Sequence, residues 1–323
     1  MTEVEVRPAR AVCVPLPENM GSVQPGGGVC YRVELAWGRL RRGYLRAFRP
    51  AYVRRMVQLR QGDLQGAPHA ILDPRDLKYC GNRCQASWPP EADRFGWRAR
   101  LPVARWGWAE LLLIGGLLWA VALGLAWLPA PFGLSALVPV ALSALLLVFF
   151  RDPPRRVPVG AGLVVAPADG TVVEITHLDD DPFIAGAAVR IGIFLSILDV
   201  HINRAPTRAR VIQLEYQPGQ FINALRARST VVNEALRIAL EEDEPPYRRM
   251  VVRQISGAIA RRIVCQLRPG QRIGRGAKFG MIKLGSRTEL ILPAKGLSVQ
   301  VAEGAHVKAG TTVLARFEPA DET

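Results

Sequence analysis

The hydrophobic pattern of this chain changes character twice. Two long uncharged apolar runs stand in its middle: residues 111–128 (LLLIGGLLWAVALGLAWL) and 132–150 (FGLSALVPVALSALLLVFF), joined by Pro129-Ala130-Pro131. Each is about the length needed to cross a hydrocarbon core, and helix is the conformation that satisfies its backbone there. Apolarity all round, rather than along one stripe, favours lipid over a soluble core. Gly115, Gly116, Ser135 and Ser143 are small enough for close helix packing, and Trp108 and Trp127 fall near the ends of the first run. The pattern predicts a two-helix membrane hairpin over residues 108–150.

After Arg151 the period shortens. Stretches at 163–165, 170–175, 188–194, 209–214, 250–255, 263–267, 288–292, 298–301 and 312–316 are rich in β-branched residues and separated by turn residues. Such spacing predicts a mostly β domain, barrel- or sandwich-like, over residues 151–323. Residues 242–246 (EDEPP) read as a hairpin loop, and a helical turn is expected at 221–227.

Residues 1–107 read as a basic N-terminal extension. Basic side chains outnumber acidic ones there, for a net charge of roughly +9. Residues 37–60 mix arginines with Trp, Leu, Tyr, Phe and Val, a composition that suits an amphipathic segment on an anionic membrane surface; Pro50 interrupts any helix. Pro and Gly clusters at 15–28 predict a poorly ordered start.

Charge adds a partner class. The net charge is +14 and the pI about 10.3, which points to anionic partners. No single-strand platform or recognition-helix signature favours nucleic acid, so acidic lipid is the expected partner. Arg98, Arg100 and Arg105 precede the hairpin, and Arg151, Arg155 and Arg156 follow it. The positive-inside rule then puts both termini and the β domain on the cytoplasmic side of an inner membrane. Five cysteines form no disulfide framework. Cys80 and Cys84, with His69 upstream, lack a second ligand pair, so no metal site is expected.

Few residues can carry chemistry. His177 lies beside three aspartates, His306 in a turn, and His69 outside the β domain. His201 lies in residues 194–206 (FLSILDVHINRAP), at the end of an apolar strand. Asp169 precedes a glycine in 165–170 (VAPADG), which alone reads as an ordinary turn. Gly285-Ser286 is also a common turn dipeptide, yet a serine after a flexible glycine can attack the preceding carbonyl and convert the amide to an ester. Elimination then gives dehydroalanine, and hydrolysis gives a pyruvoyl group at a new N-terminus.

Together, residues 149–153 (FFRDP), 165–170, 194–206 and 279–286 (FGMIKLGS) resemble the phosphatidylserine decarboxylase family, in its compact single-histidine form. Residues 254–262 (QISGAIARR) also resemble a family segment, and the likeness covers roughly 149–318. It implies a proenzyme that cleaves itself between Gly285 and Ser286 into a β chain (1–285) and an α chain (286–323). Ser286 would become the covalent pyruvoyl cofactor. Ser286, His201 and Asp169 would form the processing triad, with His201 as base and Asp169 orienting it. The mature enzyme would convert phosphatidylserine to phosphatidylethanolamine through a Schiff base to the pyruvoyl group. Where a longer branch has a second histidine this chain has Arg204, so either His201 serves both reactions or Arg204 takes another role. Arg204 and Lys283 are candidate substrate-binding residues. The sequence leaves a homo-oligomer open.

Two rivals remain at this stage. Residues 169–172 with 301–310 resemble the halves of a biotinyl/lipoyl-like carrier, which needs an exposed lysine at a hairpin tip. A decarboxylase of a related amino-phospholipid would share the same motifs.

Overall fold

The computed structural model describes residues 10–226, 228–258, 262–283 and 285–318. Leu284 of the 279–286 block, residues 259–261 of the 254–262 segment, Ala227 of the expected helical turn and both chain ends lie outside the described residues. Contacts divide the chain into two units: one holds the described residues through Gly26 and from Arg155 onward, the other is Gly27–Pro154.

The second unit is helical. Helix α1 spans Val29–Phe48 and α2 Pro50–Leu59. Pro50 opens α2, at the position where a missing N–H costs nothing. The inner side of α1 is bonded to a 3-10 turn at Pro74–Lys78, itself closed by a capping box between Asp73 and Asp76. Arg41 reaches Asp73 at 2.7 Å and also Asp76, Arg42 reaches Asp76 at 3.2 Å, and Lys78 reaches Glu34 at 2.5 Å. Cys80 and Cys84 are buried with Ile71 and Ala86, and burial pushes the Cys80 thiol up to about 12.

Two helices, Arg105–Ala126 and Phe132–Phe149, are each long and apolar enough to cross a membrane. Their close approach uses one of the small-residue pairs. A Cβ on Gly115 would lie 3.9 Å from Leu146 Cδ2 and 4.0 Å from Ser143 Oγ, whereas Gly116 faces open space. Ser135 instead bonds its own turn, donating to Phe132 O at 2.6 Å. The outer ends of the pair are tied by Ala104 N to Phe150 O at 2.7 Å and Asp152 N to Pro102 O at 2.8 Å.

The first unit is β-rich. Its largest sheet is antiparallel throughout and ordered His306–Val307, Gly170–Asp181, Gly186–Leu195, Ser286–Pro293, Arg249–Ser256, Ala235–Glu242, Ala209–Gln217, Arg272–Ile273. Two three-stranded sheets complete the unit. One pairs Leu163–Val165 and Leu297–Val299 with Val313–Phe317; the other pairs Ile202–Arg204 and Arg262–Cys265 with Lys278–Lys283. Inward residues of all three, including Ile193, Leu214, Ile238, Val252, Phe279, Leu290 and Phe317, make one continuous apolar core.

Three expectations need correction. Residues 15–28 were expected to be poorly ordered, yet Met20 and Val23 are buried at 0% and 1% exposure. Val14 N donates to Ile212 O at 2.9 Å, and Cys265 N to Val23 O at 2.8 Å. Pro and Gly exclude regular elements here but not packing. Its residues through Gly26 group with the β-rich unit. The helical turn expected at 221–227 lies instead at Ser229–Val232. His177, expected in a loop, lies within the strand Gly170–Asp181.

Candidate active site

The bond between Gly285 and Ser286 lies where the chain passes from one sheet to another. Lys278–Lys283 belongs to a three-stranded sheet; Ser286–Pro293 runs in the interior of the eight-stranded one, with Ser286 opposite Leu195 on one side and Ser256 on the other. Gly285 makes the corner with φ +61°, a left-handed conformation that disfavours other residues. A Cβ there would meet nothing within 4 Å, so conformation rather than space calls for glycine. Ser286 is fully buried, and among the described residues its Oγ has no hydrogen-bond partner. Leaving a buried hydroxyl unsatisfied costs about 1–3 kcal/mol, and folded proteins keep few such groups. Among the described residues no acceptor ties this hydroxyl up, as a candidate nucleophile requires.

His201 is also fully buried. The apolar strand ends at Leu195, and His201 stands just before the short strand Ile202–Arg204. Asp199 shapes the intervening loop by accepting Ser196 N and Ser196 Oγ, both at 2.8 Å. The Asp199 carbonyl lies 2.9 Å from His201 Nδ1. A carbonyl only accepts, so Nδ1 carries the proton and Nε2 the lone pair. Gly285 N donates to that Nε2 at 3.2 Å. The sheet thus brings the histidine against the glycine whose carbonyl precedes Ser286.

Asp169 approaches by another route. Val165 N donates to Pro206 O at 2.8 Å and Arg204 N to Pro167 O at 2.9 Å, which ties the segment before Asp169 to the one that follows His201. Its carboxylate accepts Arg155 Nη2 at 2.5 Å and Ala309 N at 2.8 Å.

The remaining candidates separate. Lys283 is 5% exposed and two residues before Gly285, opposite Arg262. Arg204 opposes Lys278, at the far end of the same strand. At about 3.3 Å per residue that end is roughly 16 Å from Lys283. Arg204 Nη1 bonds Gly276 O at 3.1 Å, and the side chain lies under Gly310, where a Cβ would come within 2.9 Å of Arg204 Cδ. The burial of Lys283 within a strand speaks against the carrier alternative, which requires an exposed tip lysine.

A layer of buried charge fixes the strand that begins at Ser286. Arg287 pairs with Glu174 and, at 3.0 Å, with Glu289, which Arg253 meets at 2.7 Å. Burial would raise the Glu174 carboxyl, but bonds from Thr176, Arg287 and Arg190 outweigh it and hold it down to about 2. Thr288 Oγ1 accepts Asn203 Nδ2 at 3.1 Å, linking this strand to the His201 segment.

Sequence reasoning overlooked three participants. Arg155 was read only as a basic flank of the hairpin. The Asp199 carbonyl is a backbone group, which no residue pattern marks. Gly257 lay unremarked in the 254–262 segment, though it stands against the Gly285 carbonyl.

A profile described as "Phosphatidylserine decarboxylase" matches residues 142–315. A phosphatidylserine decarboxylase proenzyme of Rhodopirellula baltica is 46% identical over 247 residues, covering 75% of this chain and 99% of that protein. A proenzyme of the same description from Salinibacter ruber is 42% identical over 208 residues, covering 64% of this chain and 88% of its own. One from Carboxydothermus hydrogenoformans is 40% identical over 170 residues, covering 53% and 78%. The chain belongs to the phosphatidylserine decarboxylase family.

Proposed function

We propose that the chain is a phosphatidylserine decarboxylase proenzyme that cleaves itself between Gly285 and Ser286, and whose mature form produces phosphatidylethanolamine. The observation that carries this reading is the buried Ser286 Oγ, unpartnered among the described residues, following a left-handed Gly285 whose N–H meets His201 Nε2.

His201 is the base. Its proton sits on Nδ1 against the Asp199 carbonyl, which leaves Nε2 to exchange the Gly285 N–H for the Ser286 Oγ–H. The Oγ–carbon bond forms as the proton passes to Nε2 and the carbonyl π pair moves to oxygen. Collapse expels the Ser286 nitrogen, which takes the proton back, leaving an ester between Gly285 and Ser286 Oγ. Loss of the Ser286 Cα proton breaks the Cβ–Oγ bond and releases Gly285 as a carboxylate. Residue 286 is left as an N-terminal dehydroalanine; its imine tautomer takes up water and loses ammonia, giving pyruvoyl. In this scheme the Asp199 carbonyl takes the orienting role that the resemblance gave to Asp169, whose carboxylate is bonded to Arg155 and the Ala309 amide.

The site fits the group it would acquire: Ser286 is enclosed, and among the described residues its hydroxyl forms no bond that cleavage would have to break. When formed, the pyruvoyl group supplies a ketone conjugated to a carbonyl, an electron sink for the loss of carbon dioxide. His201 then moves the proton that replaces the carboxylate, and Lys283 holds a negative group of the lipid head. Arg204, bonded to Gly276 O, is read as a support of that turn rather than as a substrate contact.

Substrate delivery follows from the helical unit. The helices Arg105–Ala126 and Phe132–Phe149 anchor the chain in the inner membrane, with basic flanks keeping both termini and the β-rich unit on the cytoplasmic side. Along α1, Val29, Val33, Trp37, Leu40, Tyr44 and Phe48 recur every three or four residues and are all exposed. Arg32, Arg39 and Arg46 are exposed along the same helix. Such a helix lies in the headgroup region of a bilayer containing anionic lipid.

The test is direct. Purified chain is expected to run as two fragments with masses matching 1–285 and a pyruvoyl-capped 286–323, and to release carbon dioxide from phosphatidylserine. A single intact chain after folding in detergent would overturn the proposal.

A further inference from the structure

The carbonyl that Ser286 must attack has a seat of its own. An ideal Cβ built on Gly257 would lie 2.3 Å from the Gly285 carbonyl oxygen, 3.1 Å from its carbon and 3.3 Å from Ala224 Cβ. No real side chain tolerates 2.3 Å to a backbone oxygen, and the buried Ala224 methyl closes the other side. The backbone at Gly257 is not left-handed, so its own conformation does not demand glycine. Its neighbour Ser256 ends the strand paired with Ser286–Pro293 and is fixed there: Ser256 N and Oγ donate to Glu234 O at 2.9 and 3.1 Å. Residue 257 therefore cannot retreat freely.

We infer that Gly257 is a positioning residue for self-cleavage, its missing side chain seating the Gly285 carbonyl where Ser286 Oγ attacks it. The inference rests on cleavage at Gly285–Ser286. As the Oγ–carbon bond forms, the carbonyl carbon becomes tetrahedral and the oxygen takes the displaced electron pair while the hydroxyl proton leaves to the base. That oxygen must move and gain charge without meeting a methyl group. The two glycines divide the work: Gly285 gives the chain its left-handed corner, and Gly257 gives the resulting carbonyl its space. A methyl at 257 would push the carbonyl aside by close to an ångström, and a misplacement of that size costs on the order of 100-fold in rate.

Full-length proenzymes made by cell-free synthesis into detergent allow cleavage to be followed by intact mass from time zero. The set is wild type, Gly257→Ala, and Gly257→Ala with Ala224→Gly. Gly257→Ala is expected to slow cleavage at least tenfold, and by a larger factor than it lowers decarboxylation per pyruvoyl formed. The double variant, which frees space on the Ala224 side, is expected to recover part of the cleavage rate. Gly257→Ala cleaving at the wild-type rate overturns the inference. So does equal loss of both activities with a lowered melting temperature that Ala224→Gly does not relieve, since that marks a folding defect. A wild-type chain that never cleaves removes the underlying proposal itself, whereas normal wild-type cleavage beside an unaffected Gly257→Ala removes only the role of Gly257.

Discussion

The backbone N–H of Gly285 donates to His201 Nε2 at 3.2 Å, so the imidazole touches the residue whose carbonyl is attacked in the proposed cleavage. The other ring nitrogen is held by the Asp199 carbonyl, which fixes the lone pair on the side of the cleavage bond. Two substitutions separate nucleophile from base. Ser286→Ala removes the attacking oxygen and is expected to leave the chain intact indefinitely. His201→Ala retains the nucleophile and is expected to slow cleavage by about 100-fold or more, the usual contribution of a positioned base. Intact mass over time distinguishes the two. His201→Ala maturing at the wild-type rate would remove the histidine from the processing step.

The Arg155–Asp169 pair is nearly enclosed, with side-chain exposures of 10% and 7%. Removing one partner strands the other without water or counter-charge. Arg155→Ala should therefore destabilise the β-rich unit by about 3–5 kcal/mol, the range for a broken buried pair. Among the described residues Asp169 keeps the Ala309 amide alone in that variant, and cleavage should slow as well. Denaturant unfolding of the Ser286→Ala background measures stability without interference from cleavage. An unchanged midpoint would mean that Asp169 finds other support.

How much of this could be read in advance depends on what kind of group does the work. Side chains in ordered motifs stood out: His201, Ser286 and Gly285 were all candidates from their sequence blocks, and the Gly285 N–H meets His201 Nε2. Strands with β-branched runs were legible too, as at Arg249–Ser256 and Gly186–Leu195. The strand Ala235–Glu242 was not, because ALRIALEE is rich in helix formers and only its neighbours on both sides make it a strand. Met20 and Val23 were lost in a Pro- and Gly-rich stretch that is bonded to strands far along the chain, Val14 to Ile212 and Val23 to Cys265. The Asp199 carbonyl and the space beside Gly257 are properties of backbone placement, which composition does not encode.

Glu234 makes stability depend on pH. It is 1% exposed, and burial raises its carboxyl to about 7 despite the Tyr216 hydroxyl at 2.8 Å and the nearby charge of Arg262. The unfolded chain would release this proton near 4.5, whereas the folded one holds it to about 7. The folded state binds more protons in that window, so stability falls as pH rises from 4.5 to 7 and levels off above. The loss is about 3 kcal/mol at roughly 1.4 kcal/mol per unit. Glu174 acts in the opposite direction, its contribution vanishing as pH falls from the ordinary carboxylate range toward 2. Glu234→Gln should flatten the decline between pH 4.5 and 7 in unfolding midpoints. A slope identical to wild type would assign that decline to other groups.

The exposed face of α1 makes a prediction separable from anchoring by the apolar hairpin. Leu40 is 70% exposed and Trp37 65%, on a helix whose inner side is already bonded through Arg41 and Arg42 to Asp73 and Asp76. Those two arginines are spent inside the unit, so lipid must be met by the apolar stripe with Arg32, Arg39 and Arg46. Burying a leucine-sized side chain contributes about 1.5–3 kcal/mol, enough for several together to hold a helix at an interface. An environment-sensitive fluorophore on Leu40→Cys, with Cys13 and Cys30 replaced by serine, should shift to the blue in phosphatidylserine vesicles and be quenched by spin-labelled lipid. Trp37→Glu with Leu40→Glu should abolish both signals while the hairpin keeps the protein in the vesicle fraction, and should raise the KM for vesicle-borne substrate more than it lowers kcat. A fluorophore indifferent to lipid, but quenched by a second labelled copy of the chain, would assign the stripe to self-association instead.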